Sequence, residues 1–153
     1  MILPDANLLL YAFRPEFPEH EMARQWMTAK VDSGEIFVMH PLTFGGFLRL
    51  STRQLGPLSP APVELSIRFL AALDGSRIAE AQNHDRVLAR LCAAHGIQGD
   101  GIVDAWLAAF AITHGMLLAS HDKGFARFAP ELEWTDPLSP IMKAGSMSPD
   151  TVS

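Results

Sequence analysis

Apolar and polar positions run along this chain in blocks whose period changes, and the period predicts the elements. Residues 1–4 form a short apolar run that stops at Asp5, and the stretch 8–12 fits a short helix ending before Arg14-Pro15. A second helix is predicted over about residues 19–31, where Met22, Trp26 and Ala29 share a face and Ser33-Gly34 closes the pattern. The β-rich stretch 35–39, bounded by Gly34 and Pro41, reads as a strand. From 42 to 53, Phe44, Phe47, Leu48 and Ser51 recur at helical spacing, with Gly45-Gly46 as a local conflict. A Pro-, Gly- and Ser-rich connection over 54–62 then leads to a helix at about 61–73, with Ser59 as N-cap and Pro60 in the first turn.

Residues 77–80 form a brief strand candidate, and a helix follows over about 84–95 with Gly96 as its stop. The strongest helical pattern comes next: Val103, Trp106, Leu107, Phe110, Ala111 and His114 lie on one stripe, closed by Gly115. An apolar strand over 116–120 runs into His121-Asp122, with a short helix at 123–128 and a last short strand at 131–134. Strands alternating with helices predict an α/β sandwich around a mostly parallel sheet. One domain is expected over residues 1–138, with 139–153 as a flexible tail.

Composition narrows the class. The chain has 153 residues, 48% hydrophobic and 19% charged, which excludes disorder throughout and suits a single domain. Cys92 is alone, so neither a disulfide framework nor a thiolate zinc site is available. It lies on an apolar helical face, as an inert thiol does. The formal net charge of −5 removes the signature of a strongly basic nucleic-acid binder; contact with nucleic acid would need a metal or a local basic rim, and Arg49, Arg53, Lys123 and Arg127 are either a solvated set or such a rim. No apolar run reaches the roughly 18 residues of a membrane span, no targeting signal is read at the N-terminus, and the cytoplasm is the expected location.

Candidate chemistry gathers where ligands collect in open α/β sheets, beyond the carboxyl ends of strands. Asp5 follows the first strand, Asp122 follows the 116–120 strand, and Asp104 stands in the opening turn of the Trp106 helix. Three carboxylates converging on one edge repel one another unless a cation is present, and oxygen-only donors favour Mg²⁺ or Mn²⁺. Such an ion polarises a phosphoryl oxygen and lowers the pKa of bound water, the chemistry of phosphodiester hydrolysis. Each acid also has an ordinary reading. Asp5 and Asp122 fit helix N-caps, Asp104 compensates a helix dipole, and Asp100 fits the N-cap of the Trp106 helix. His20, His84, His95 and His114 lack a metal-binding spacing and read as surface or satisfied core residues.

Several blocks carry a family resemblance. Asp5-Ala6-Asn7-Leu8-Leu9-Leu10-Tyr11-Ala12, the 20–26 segment, Phe47-Leu48-Arg49-Leu50-Ser51-Thr52, Asp104-Ala105-Trp106-Leu107 and Ser120-His121-Asp122-Lys123-Gly124-Phe125 resemble, in order, the PIN domains of VapC-type toxins. The resemblance covers about residues 1–138 and implies a PIN-like three-layer α/β/α sandwich. It also implies a Mg²⁺-dependent endoribonuclease that cleaves RNA, a homodimer, and a cognate antitoxin that blocks the groove. Asp5, Asp104 and Asp122 match the family's acidic metal positions, Asp100 is a further oxygen donor, and Asn7, Arg49, His121 and Lys123 stand where substrate contacts are expected. The family's usual fourth acid, a glutamate, falls at Gly46 here. That departure motivates an alternative, a catalytically degenerate scaffold that binds antitoxin or RNA without cutting. A phosphoaspartate enzyme built on Asp5 is disfavoured, because Asn7 stands where such a phosphatase needs a second acid.

Overall fold

Ile2–Pro4 (β1), Leu117–Ala119 (β2) and Trp134–Thr135 (β3) pair in parallel, in that order across the sheet, in a computed structural model that describes residues 1–140. Leu3 stands opposite Leu118, and Leu118 opposite Trp134. Beyond β1 the pairing continues through single parallel bridges, Ile2 with Phe37 and Val38 with Ser76. The strands expected over 35–39 and 77–80 are therefore reduced to bridges, and the second pairs at Ser76 instead. Past that residue the side chains draw the backbone off the sheet edge: Arg77 lies over the Phe44 ring, and Glu80 accepts a hydrogen bond from Trp106. The last strand starts later than expected because the chain is still turning at Leu132, whose N–H donates to the carbonyl of Phe128.

Side chains on successive strand positions point to opposite faces, which builds two cores from one sheet. Leu3, Val38 and Leu118 enter one core with Leu91, Phe110, Phe125 and Phe128; Ile2, Phe37, Met39 and Ala119 enter the other with Leu8, Leu9, Phe47 and Leu70. Helices Ala6–Phe13 (α1), His20–Asp32 (α2), Pro41–Ser51 (α3) and Val63–Ala72 (α4) supply the second core, while His84–His95 (α5), Gly101–His114 (α6) and the 3-10 helix Lys123–Phe128 supply the first. The result is the three-layer α/β/α sandwich expected from the sequence.

One local expectation is corrected, and one local conflict within a correctly expected helix is resolved. Helix α4 begins at Val63 after Pro62, with no side-chain cap, and the carbonyl of Ser59 instead accepts a hydrogen bond from the buried Arg14. That bond fixes Ser59 in the connection, one turn ahead of the helix. Helix α3 does run through Gly45-Gly46, and the reason is packing: a Cβ on Gly46 would lie 3.3 Å from Cβ of Ala6. The second glycine lets α3 approach α1 closely. From residue 141 onward the expected tail lies outside the described residues. Among those described, no helix is long and apolar enough to cross a membrane.

Candidate metal centre

The parallel strands end together, so the residues that follow them meet at one edge. Asp5 leaves β1 as the N-cap of α1. Its Oδ1 accepts from the Ala6 N–H at 2.7 Å and its Oδ2 from the Ser120 hydroxyl at 2.8 Å. Ser120 is buried at the end of β2 and also accepts from the N–H of Asp122 at 3.0 Å, so one hydroxyl ties the two strand ends together. Asp122 caps the 3-10 helix, its Oδ1 accepting from the Gly124 N–H at 2.8 Å. Asp104 stands one turn into α6, and its carboxylate lies 3.6 Å from the guanidinium of Arg127.

These residues line one cleft of about 450 Å³ between α1, α3, the start of α6 and the end of β2. Asp5, Asn7, Gly46, Arg49, Asp100, Asp104 and Asp122 all face it. The electrostatics follow from that crowding. Burial raises the pKa of Asp5 against the opposing Ser120 and Ala6 hydrogen bonds, with a further upward push from Asp122. Burial first, then the charges of Asp122 and Asp5, push Asp104 up to about 6, although Arg127 works the other way. An oxygen-only set in which burial and neighbouring carboxylate charge both raise Asp5 and Asp104 is the donor chemistry a hard divalent ion relieves, so the residues present fit Mg²⁺ or Mn²⁺. The three carboxylates do not close into a compact triad. Among the described residues, the side chains whose ligand atoms all lie within 4.8 Å of one another are Glu80, His84 and Asp85. Each aspartate is held by a different partner, Asp5 by Ser120, Asp122 by Gly124 and Asp104 by Arg127. Mg²⁺ keeps several waters and takes only one or two carboxylates directly, which suits this wider spacing.

A family model described as the PIN domain matches residues 2–130. This chain belongs to the PIN domain family. Within that family it is 35% identical over 133 residues to ribonuclease VapC31 of Mycobacterium tuberculosis, covering 84% of this chain and 94% of the relative. It is 34% identical over 143 residues to ribonuclease VapC33 of the same species, covering 90% and 99%. Among solved structures, the chain superimposes on FitAB bound to an IR36 DNA fragment with a TM-score of 0.66 at 22% identity, over 90% of this chain and 96% of that one. It also superimposes on VapBC-1 from nontypeable Haemophilus influenzae with a TM-score of 0.63 at 18% identity, over 90% and 98%. These likenesses establish the PIN fold.

The other residues singled out in this PIN domain fall into place unevenly. Asp100 occupies the N-cap position of α6 but its side chain caps nothing and faces the cleft. Lys123 is exposed and His121 half-buried, and neither lines the cleft. His121 is instead gripped by Asp136, whose two carboxylate oxygens lie 3.0 and 3.1 Å from Nδ1. Sequence reasoning missed Asp136, which follows β3 just as Asp5 and Asp122 follow their strands, and Ser120, a polar residue ending an apolar strand. That shared signal, a polar side chain at the carboxyl end of each strand, marks all four. Arg127, counted only as part of a basic rim, turns out to be the counter-charge of Asp104.

Proposed function

We propose that this PIN domain is a VapC-type toxin, a cytoplasmic endoribonuclease that hydrolyses phosphodiester bonds in RNA with Mg²⁺ or Mn²⁺ and is silenced by a cognate antitoxin. The observation that carries the reading is the single cleft in which Asp5, Asp104 and Asp122, from three distant parts of the chain, face one another. The names of the relatives, ribonucleases throughout, support the activity, and the VapBC neighbour supports an antitoxin partner. Apolar side chains left exposed on α2 and α4, among them Met22, Val31, Val63 and Ile67, offer surface of the kind partner chains and a second protomer cover. The nuclease domain spans residues 1–138.

Asp5, Asp104 and Asp122 would hold the ion, one or two of them directly and the rest through its waters, with Asp100 as a further oxygen at the mouth. When bound, the ion supplies Lewis-acid polarisation of a phosphoryl oxygen and a water of lowered pKa. The chain's own residues do the rest. Ser120 fixes the orientation of Asp5 through its hydroxyl. Arg49, on the cleft wall, meets a phosphate anion with paired donors, and Asn7 offers an amide to the sugar or base. Lys123 and His121 stand outside the wall, where the strand of RNA would continue. Arg127 balances Asp104 until substrate and ion arrive.

The test is RNA cleavage by the purified chain with and without Mg²⁺. Cleavage is expected to need the ion and to fall by at least about a hundredfold in Asp5→Asn and Asp104→Asn; undiminished cleavage in EDTA refutes the reading. Gly46, in place of the family's glutamate, favours a second reading as a binding scaffold. Calorimetric titration with Mn²⁺ separates the two, because a scaffold takes up no ion at the aspartate cleft.

A further inference from the structure

Outside the aspartate cleft, Glu80, His84 and Asp85 bring one ligand atom each to within 4.8 Å of the others, where the 77–83 connection enters α5. The His84 ring is 1% exposed. Its Nε2 lies 3.2 Å from the carbonyl oxygen of Trp106, an atom that only accepts, so Nε2 carries the proton. In the neutral ring Nδ1 then holds the lone pair, and it is aimed at Asp85 Oδ1 at 3.5 Å and Glu80 Oε2 at 4.0 Å. A lone pair and two carboxylate oxygens are three acceptors with no donor among them. Glu80 is itself oriented from behind. Its Oε1 accepts from Trp106 Nε1 at 2.6 Å and from His40 Nε2 at 3.3 Å. His40 has its own tautomer fixed, since its Nδ1 accepts from the Leu42 N–H. Asp85 alone is explained as an acid in the first turn of α5. The buried imidazole nitrogen faces both carboxylates at once, and either a proton on Nδ1 or a cation among the three atoms relieves that crowding of acceptors.

We propose that Glu80, His84 and Asp85 form a second metal site, which takes a zinc-class divalent ion through one imidazole nitrogen and two carboxylate oxygens. Mixed nitrogen and oxygen donors select zinc over Mg²⁺, and three protein ligands leave one tetrahedral position for water. Ligand atoms about 2.0–2.2 Å from such an ion stand roughly 3.3–3.5 Å apart. The spacings from Nδ1 need only a small closure, which Asp85, 93% exposed, supplies freely and Glu80, 39% exposed, supplies by turning about its held Oε1. A ligating imidazole characteristically donates its other N–H to a backbone carbonyl, as His84 does to Trp106. Trp106 follows Asp104 by two residues, about 200° around α6, so the two sites lie on different faces of that helix. The ion would pin the 77–83 connection to α5 and, through Trp106 and His40, to α6 and the N-terminus of α3. Its effect is on stability, and it does not depend on the nuclease reading.

The experiment is calorimetric zinc titration of the full chain carrying Asp5→Asn and Asp104→Asn, which silences the aspartate cleft. One Zn²⁺ per chain is expected, bound at least tenfold more weakly after Asp85→Ala and not at all after His84→Gln, with no comparable uptake of Mg²⁺. Should His84→Gln fail to fold, Asp85→Ala and Glu80→Gln decide, since both side chains are substantially open to solvent. No zinc uptake, the outcome if a protonated His84 simply pairs with the two carboxylates, overturns the proposal. So does an affinity that Asp85→Ala leaves unchanged.

Discussion

Asp5 does two jobs with one carboxylate, capping α1 and facing the cleft, and substitutions separate them. Asparagine caps a helix as well as aspartate, whereas alanine does not. Asp5→Asn is therefore expected to lose cleavage with little change in thermal stability, while Asp5→Ala loses cleavage and about 1 kcal/mol of stability as well, read by denaturant titration. Asp104 gives a pH signature. Its carboxyl sits at about 6 in the fold against the ordinary 3.8, so the folded state binds the proton more tightly than the unfolded chain. The stability this contributes is present below about pH 4 and is lost as pH rises through 6. In metal-free protein, Asp104→Asn is expected to melt a few degrees higher than the parent at pH 7, and the gap should close by pH 4. Saturating Mg²⁺ should reverse the order at pH 7, because only the parent gains the ion. A gap that does not change with pH shows that the carboxylates do not crowd as described.

At the scale of elements, α3 tests how packing overrides propensity. Nothing lies within 4 Å of a Cβ built on Gly45, whereas one on Gly46 meets Ala6 at 3.3 Å. Gly45→Ala should stabilise the protein by about 0.5–1 kcal/mol, the helix-propensity gain. Gly46→Ala should gain less or lose, since α1 and α3 must separate by a few tenths of an ångström. Equal gains in the two Tm values contradict the close approach. Any side chain at 46, a glutamate included, would meet Ala6 at the same contact. Elements whose signal is local were legible in the chain. The α6 stripe and its Gly115 stop are one such case, and Asp122 as cap of Lys123–Phe128 is another. The start of α4 was not, because Arg14, 45 residues away, holds Ser59. The 77–80 strand was misread because Glu80 is held by Trp106 on another helix.

For the whole molecule, the sheet is a thin partition between two cores, and its short strands carry both. Leu118 is fully buried at the centre of the sheet with partners on each side. Leu118→Ala should cost about 2–5 kcal/mol in chemical denaturation and, by shifting β2, weaken the Ser120 link between Asp5 and Asp122. The alternation of apolar residues, the glycine stops and the order of acids after strands determined the layered α/β class and named Asp5, Asp104 and Asp122, because those signals are written in near neighbours along the chain. Tertiary structure alone decided that Ser120 would join two strand ends, that Arg127 would balance Asp104, that Asp136 would hold His121, and that Trp106 would hold Glu80. Each of those contacts depends on how separate elements approach in space, where distance along the sequence carries no information.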